Sequence, residues 1–522
     1  MLKRSSLPKI NKSSSSRRHV ATIWTTLISD RKDLLIKRWT PKSGLQPEAL
    51  PRKSKIRTQE LQRTSGDQAA NNDVGIFVNG EPAKFSPILL RDLCECSSCV
   101  DISTKQKLFS TADIPTDIKA RAVAQTDNGA SILWDQDVAG FDRDHTTELS
   151  LEVLKSLSEL GRTSPSYDPG VQTLWEADAF RDVQDIDYEA YMQDDAVLFQ
   201  ALKQLHTHGL LFISNVPESE KSVSTLGERI GPIKNTFYGY TWDVRSVPEA
   251  KNVAYTAQDL GFHMDLLYMH QPPHLQLLHC IRSSAVGGAS LFTDSYKSAE
   301  DLFAADRDAF NQLSYHDATF HYNHPNSHLY YQQRPVFEMK PLNLGGYSFK
   351  TFSRFIKAFE GELRGTKHHS NRKIKIADWI DAVSWSPPFQ GPHALRSLTD
   401  LPAGGHVNRV QAANSISRKV NIWHHAAKQY SALLHRPNMI YERLMKPGES
   451  VIFDNRRVLH ARKAFAVADL GKERWLRGAY LDKDPYVSKL RVLQHQFGDA
   501  PEGMIAINAP SGVDYFETAA SS

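Results

Sequence analysis

Two groups of residues in this sequence have the types and spacing that bind metal ions. The first is Gly261-Phe262-His263-Met264-Asp265-Leu266. On an extended strand, residues i and i+2 project to one face, so His263 and Asp265 converge on a point. Two histidines and a carboxylate on one face of an octahedron hold non-haem iron(II) and leave positions free for dioxygen and a co-substrate. A lone His-x-Asp arises by chance, so the missing histidine decides whether the motif has weight. Among 21 histidines His460 has the right setting. Lys446-Pro-Gly-Glu-Ser450-Val-Ile-Phe-Asp454-Asn455 reads as a turn, a strand and a loop that lead to it. Beyond it stands Arg474, in Glu473-Arg474-Trp475-Leu476-Arg477-Gly478-Ala479-Tyr480. A guanidinium grips a carboxylate through two parallel N–H bonds, which suits the distal carboxylate of a chelated 2-oxoglutarate. Arg477 offers the same fork, but on a strand Arg474 and Tyr480 share a face and Arg477 takes the other.

The second group is Cys94-Glu95-Cys96-Ser97-Ser98-Cys99. It places three thiolates on one tight loop, one ligand short of the tetrahedral site that zinc prefers. Cys280 lies far off in an apolar stretch, Leu277-Leu278-His279-Cys280. His145, in Asp142-Arg143-Asp144-His145 after the strand-like Ser131-Ile-Leu-Trp134, is the better fourth ligand. Crowded thiols without a metal are prone to oxidation, which favours a zinc site over ordinary reduced cysteines. No open position is implied, so the expected metal is structural.

These motifs need a scaffold to position them. The chain has 522 residues, of which 40% are hydrophobic and 23% charged, ordinary usage for a globular protein of several domains. No apolar run approaches the ~18 residues of a membrane-spanning helix. Four cysteines exclude a disulfide-built scaffold. Residues 1–70 hold 16 Lys/Arg against 5 Asp/Glu, and the rest of the chain is net acidic. An acidic body with no basic stripe argues against nucleic acid as a partner. No acidic residue precedes Asp30, and Val20, Ile23, Trp24 and Leu27 fall on one helical face. That start has the character of a mitochondrial presequence, with a cytoplasmic basic tail as the alternative. The expected organisation is a basic arm over 1–72, a small zinc-binding α+β domain over 73–165, and a catalytic domain over 166–522.

Taken together, the motifs resemble the γ-butyrobetaine dioxygenase family of 2-oxoglutarate-dependent oxygenases, a group that is similar to taurine dioxygenase. The resemblance rests on Leu90-Arg91-Asp92 with the cysteines, Asn235-Thr236-Phe237-Tyr238-Gly239-Tyr240-Thr241-Trp242, Asn252-Val253-Ala254-Tyr255-Thr256, the His263/Asp265 pair, Leu277-Leu278-His279-Cys280, Gly287-Gly288, Phe453-Asp454-Asn455, His460, Arg474 and Gly478-Ala479-Tyr480. It implies a mainly β fold with flanking helices, a double-stranded β-helix (jelly roll) preceded by the zinc domain. It implies iron(II) on His263, Asp265 and His460, 2-oxoglutarate on Arg474, and zinc on Cys94, Cys96, Cys99 and His145. The implied reaction converts γ-butyrobetaine, dioxygen and 2-oxoglutarate to carnitine, succinate and carbon dioxide, with ascorbate as reductant. A homodimer is also implied.

A quaternary ammonium has no hydrogen to donate and is recognised by aromatic faces. The family's cage falls on Tyr238, Trp242, Tyr255 and Tyr480, and Asn252 falls where the substrate carboxylate is held. A trimethyllysine or other quaternary-amine dioxygenase, or a catalytically silent relative, are the alternatives. The chain departs from the family at Met264, at Ala461 and in an insertion within 355–440. His368, His369, His424 and His425 lie in that insertion and are not expected to bind metal, since adjacent histidines diverge.

Overall fold

The structure is a computed structural model that describes residues 73–160, 171–180, 185–245, 257–284, 286–344, 347–365, 375–393, 409–466 and 474–498. The basic arm, Asn252, Tyr255, His368 and His369 lie outside the described residues.

The chain first forms a hairpin of β1 (Val74–Val78) and β2 (Glu81–Phe85) around Asn79 and Gly80, which have φ of 51° and 83°. Asn-Gly tolerates this left-handed pair, whose twist matches that of the flanking strands. A short helix, Pro87–Asp92, then delivers the cysteine loop. The strands β3 (Ala120–Thr126), β4 (Gly129–Trp134) and β5 (Thr146–Ser150) make an antiparallel sheet. Alternation on β4 buries Ile132 and Trp134 against Val74, Ile76, Leu90 and Leu154, a core drawn wholly from this part of the chain.

The larger part contains β6 (Ile186–Asp187), β7 (Leu210–Ser214), β8 (Thr241–Arg245), β9 (Leu260–His263), β10 (Leu275–Arg282) and β11 (Ser290–Asp294). A long hairpin follows, β12 (Asp317–His324) with β13 (His328–Pro335). Then come β14 (Phe337–Met339), the short β15 (Asn343–Leu344) and β16 (Tyr347–Ser348), and β17 (Ile380–Val383). The chain closes the core with β18 (Tyr441–Arg443), β19 (Ser450–Asp454), β20 (Val458–Arg462) and β21 (Trp475–Leu481). Two sheets result, in the orders β6-β7-β19-β10-β21-β8 and β18-β11-β20-β9. Only β6–β7 is parallel; the other pairs are antiparallel and join strands distant in sequence. This is the double-stranded β-helix.

Phe212, Leu278, Val451, Phe453 and Leu476 from the first sheet meet Phe292 and Val458 from the second. On β7 the run Leu210-Leu-Phe-Ile213 is apolar throughout because its other face is covered as well. Leu211 and Ile213 pack on helices Asp195–His208, Ser222–Ile230 and Lys483–Phe497. The first of these helices starts at Asp194, whose carboxylate accepts from the Ala196 amide, and ends at left-handed Gly209. Helices Phe352–Gly365 and Arg409–Leu434 precede β18, and on the second His424 and His425 are both exposed.

Candidate active site and metal centres

Strands β9 and β20 pair so that His263 stands opposite His460, with ring centroids 4.1 Å apart. Asp265 reaches them by a route that strand alternation does not describe. β9 ends at His263, and Asp265 lies on the turn beyond it, followed by Leu266 at φ 61°. A leucine in that region is uncommon and implies a local tie. Asn455 is the tie: its Oδ1 accepts the Asp265 amide at 2.8 Å, and its Nδ2 donates to the carbonyls of Asp265 and Pro273, both at 3.1 Å. One candidate ligand atom each from His263, Asp265 and His460 then lie within 4.8 Å of one another.

The surroundings fix which atoms face that point. His263 Nδ1 donates to the Gly261 carbonyl at 2.8 Å, which leaves Nε2 3.4 Å from Asp265 Oδ1. Asp265 Oδ2 accepts from Gln276 Nε2 at 2.9 Å and from the Tyr480 hydroxyl at 2.6 Å. One carboxylate oxygen is thus held by protein donors, and the other faces the histidine. Burial alone would raise the Asp265 carboxyl, but the bond with His263, the His460 and His263 charges and the Tyr480 hydroxyl outweigh it and hold it well below the usual range. Burial and the nearby His263 push the His460 imidazole down to about 3. His460 Nδ1 is buried without a hydrogen-bond partner among the described residues. A neutral imidazole, an ionised carboxylate and an unsatisfied nitrogen are what a divalent cation needs.

Arg474 enters β21 with 5% of its surface exposed and no carboxylate within ion-pair distance among the described residues. Its side chain passes Gly288, where an added Cβ would sit 3.2 Å from Cδ and Nε. Burial, followed by the charge of Arg462, pushes this guanidinium down to about 10. A buried cation left alone is costly, and an anionic ligand would relieve it. Arg477 is already engaged: it donates to Asp243 at 2.8 Å, Thr241 at 3.0 Å and Glu220 at 3.1 Å.

Of the aromatic residues expected to form a cage, Tyr238, Trp242 and Tyr480 are described. Trp242 on β8 pairs with Gly478 on β21, and a Cβ there would lie 2.3 Å from the indole. Glycine therefore lets Trp242 lie across β21 and stack on Tyr480, with centroids 3.9 Å apart and planes at 16°. The Tyr238 hydroxyl lies 3.5 Å from that of Tyr268.

In the leading part of the chain, His145 Nε2 sits 3.6, 3.4 and 3.4 Å from the sulfurs of Cys94, Cys96 and Cys99. These four could hold a tetrahedral ion. His145 Nδ1 bonds Asp137 at 2.6 Å, and fully buried Arg91 bridges Asp137 to Cys99, with Nη1 3.3 Å from the sulfur. Three thiolates around a divalent ion carry one excess negative charge, and the Arg91 cation stands where it offsets it. Gln276, Asn455, Asp137 and Arg91 take parts that motif reading did not assign. Gln276 carried a signal as a polar residue inside the apolar run Leu275-Gln-Leu-Leu; Arg91 stands at the end of Ile88-Leu-Leu, directly before Asp92. Asp137 sits in a polar stretch that looks like any loop, and Asn455 was marked as part of Phe453-Asp454-Asn455 with no task attached.

Residues 167–480 match the family described as taurine catabolism dioxygenase TauD, TfdA family. Residues 73–155 match gamma-butyrobetaine hydroxylase-like, N-terminal. Dioxygenase str8 of Strobilurus tenacellus is 31% identical over 80% of this chain and 87% of its own. The gamma-butyrobetaine dioxygenase of Pseudomonas sp. (strain AK-1) is 28% identical over 80% of this chain and 92% of its own. The mitochondrial trimethyllysine dioxygenase of Gallus gallus is 26% identical over 78% and 83%. The family match spans more than half the chain and coincides with the β-helix that carries the two-histidine, one-carboxylate cluster: this chain belongs to the TauD/TfdA family and is an Fe(II)/2-oxoglutarate-dependent dioxygenase.

Proposed function

We propose that this dioxygenase hydroxylates γ-butyrobetaine to carnitine. In this reading His263, Asp265 and His460 hold iron(II), and Arg474 takes the distal carboxylate of 2-oxoglutarate. Tyr238, Trp242, Tyr255 and Tyr480 face the trimethylammonium head, and Asn252 donates to the substrate carboxylate. The observation that carries the reading is the double engagement of Tyr480, whose hydroxyl binds Asp265 while its ring stacks on Trp242. One side chain thereby ties an aromatic wall to the metal-facing carboxylate.

Bound iron(II) with 2-oxoglutarate and dioxygen supplies oxidative decarboxylation coupled to hydroxylation of a C–H bond. The chain's own residues do the rest. Asp265 is presented through one oxygen because Gln276 and Tyr480 occupy the other. Aromatic faces attract the cationic head without needing a hydrogen bond from it. Fixing both ends of a short substrate selects which carbon lies toward the iron. Cys94, Cys96, Cys99 and His145 bind structural zinc in the 73–165 domain, apart from the 166–522 oxygenase domain. The basic 1–72 arm serves as a mitochondrial presequence and linker, and the working unit is a homodimer.

The test is turnover of the purified chain with iron(II), 2-oxoglutarate and ascorbate, offering γ-butyrobetaine and trimethyllysine separately. Carnitine and succinate should form in equal amounts. Hydroxytrimethyllysine alone would keep the iron site and move the substrate. Succinate that is stimulated by neither amine would overturn the γ-butyrobetaine reading and leave another quaternary amine or a catalytically silent relative.

A further inference from the structure

Tyrosines buried in a core normally give their hydroxyl to a backbone carbonyl, since an unpaired phenol O–H away from water is costly. This chain follows the rule at Tyr191, Tyr296, Tyr430 and Tyr486, which donate to the carbonyls of Leu226, Asp381, Ser295 and Leu202. Tyr268 does not. It is 1% exposed, and its hydroxyl meets only the Tyr238 hydroxyl among the described residues, at 3.5 Å. That separation is longer than the roughly 2.5–3.0 Å of a good O–H···O bond, so the phenol keeps donor capacity.

Its place in the chain is also unusual. The left-handed Leu266 turns the backbone straight after Asp265, and Tyr268 follows two residues later. Its ring is wedged edge-on against Phe389, with centroids 5.2 Å apart, and lies 5.3 Å from Tyr322. Phe237, whose ring lies 4.1 Å from Tyr238, also borders it at 6.2 Å. Tyr268 is thus a ring held in place on the segment that carries Asp265, and its hydroxyl stands against that of Tyr238. Burial pushes the Tyr268 phenol well above its ordinary value, and the neighbouring Tyr238 and Asp265 push it the same way, in keeping with that closeness.

We propose that Tyr268 determines specificity: it sets the position of Tyr238 and so limits the size of the cationic head that the site admits. The inference rests on the quaternary-ammonium reading above and adds to it a residue outside the expected cage. A quaternary ammonium makes only ring-face contacts, so no directional bond rejects a larger head. Discrimination between N-methyl and N-ethyl groups must come from how closely the walls stand, and the Tyr268 hydroxyl, carried on a closely packed ring, limits how far Tyr238 can move toward it.

The test titrates the full-length wild-type chain, Tyr268→Phe and Tyr268→Leu with tetramethylammonium and with tetraethylammonium, in the presence of iron(II) and 2-oxoglutarate without dioxygen. Binding is read from tryptophan fluorescence, to which Trp242 contributes. Wild type should prefer the tetramethyl ion. Tyr268→Phe removes the hydroxyl that meets Tyr238 and should weaken the preference about threefold. Tyr268→Leu should abolish or reverse the preference. If both variants keep the wild-type affinities and preference, Tyr268 is only a core residue and the inference falls alone. If wild type binds neither ion, the quaternary-ammonium reading falls and takes this inference with it. Tyr268→Phe removes one atom, so the comparison survives if Tyr268→Leu fails to fold.

Discussion

Replacing Tyr480 by phenylalanine separates the two tasks that this residue performs. The substitution removes the donor that lies 2.6 Å from Asp265 Oδ2 and leaves the ring that stacks at 3.9 Å on Trp242. A hydrogen bond to a charged group contributes about 1.5–3 kcal/mol, and losing an outer partner of a metal ligand typically lowers affinity about 10- to 100-fold. Gln276 still donates to the same oxygen at 2.9 Å, so the lower end of that range applies here. Iron(II) affinity, measured by competition with a chromophoric chelator under nitrogen, should therefore fall about tenfold. With iron saturating, the substrate KM should move by less than about threefold, because the ring face offered to a cation is kept. The opposite pattern, unchanged iron affinity with a tenfold rise in KM, would show that the hydroxyl serves the substrate and not the carboxylate, and would refute this account of how Asp265 is aimed.

Arg474→Gln should raise the KM for 2-oxoglutarate at least about 30-fold, the cost of stripping one partner from a buried charge pair. Iron content should be unchanged; an unaltered KM would shift the anchor away from Arg474. Asp137→Asn should speed the release of zinc to a competing chelator about 10- to 100-fold, by weakening the hold on His145 and Arg91. Equal release rates would show that Asp137 is irrelevant to the four-residue cluster. The metal-free protein should lose stability as pH falls below about 6.5, the unfolded histidine pKa. Burial holds His274 below its ordinary value and, with the nearby His263, brings His460 to about 3. Neither takes up a proton at pH 7, but below about 6.5 the unfolded chain does and the fold does not. Each adds a slope of up to about 1.4 kcal/mol per pH unit, and for His460 this persists down to about pH 3. A Tm flat between pH 7 and 5 would contradict this.

The ligand types were legible in the sequence because each needs a particular element at a fixed distance along the chain. Cys94, Cys96 and Cys99 share a loop, and the strand-like run before His145 pointed to the fourth residue that gathers with them. His263 and His460 lie on paired strands, as strand reasoning requires. Asp265 was identified for a reason that does not hold. An i, i+2 spacing places it beside His263 on a strand, whereas the strand stops and a left-handed turn, clamped by Asn455, does the aiming. The partners Gln276, Tyr480 and Asn455 come from three other segments, and no local pattern records that they meet. Pairing of β10 with β21 puts Gln276 directly beside Tyr480, and that register is a property of the whole sheet.

The same register explains why the metal-binding geometry depends on the fold as a unit. His263 and His460 belong to the four-stranded sheet, while Gln276 and Tyr480, which hold Asp265, belong to the six-stranded one. Asp265 sits on a turn outside both, tied to Asn455 on the loop between β19, in the six-stranded sheet, and β20, in the four-stranded one. The carboxylate is therefore the point at which the two sheets are referred to each other. A shift of one sheet relative to the other would move Asp265 Oδ1 against the histidines, even with every ligand present. Close packing of Phe212, Phe453 and Leu476 against Phe292 and Val458 resists that shift. The apolar core thus holds the histidines and the carboxylate in register, and a cavity cut there would be felt as lost iron affinity at a site it does not touch.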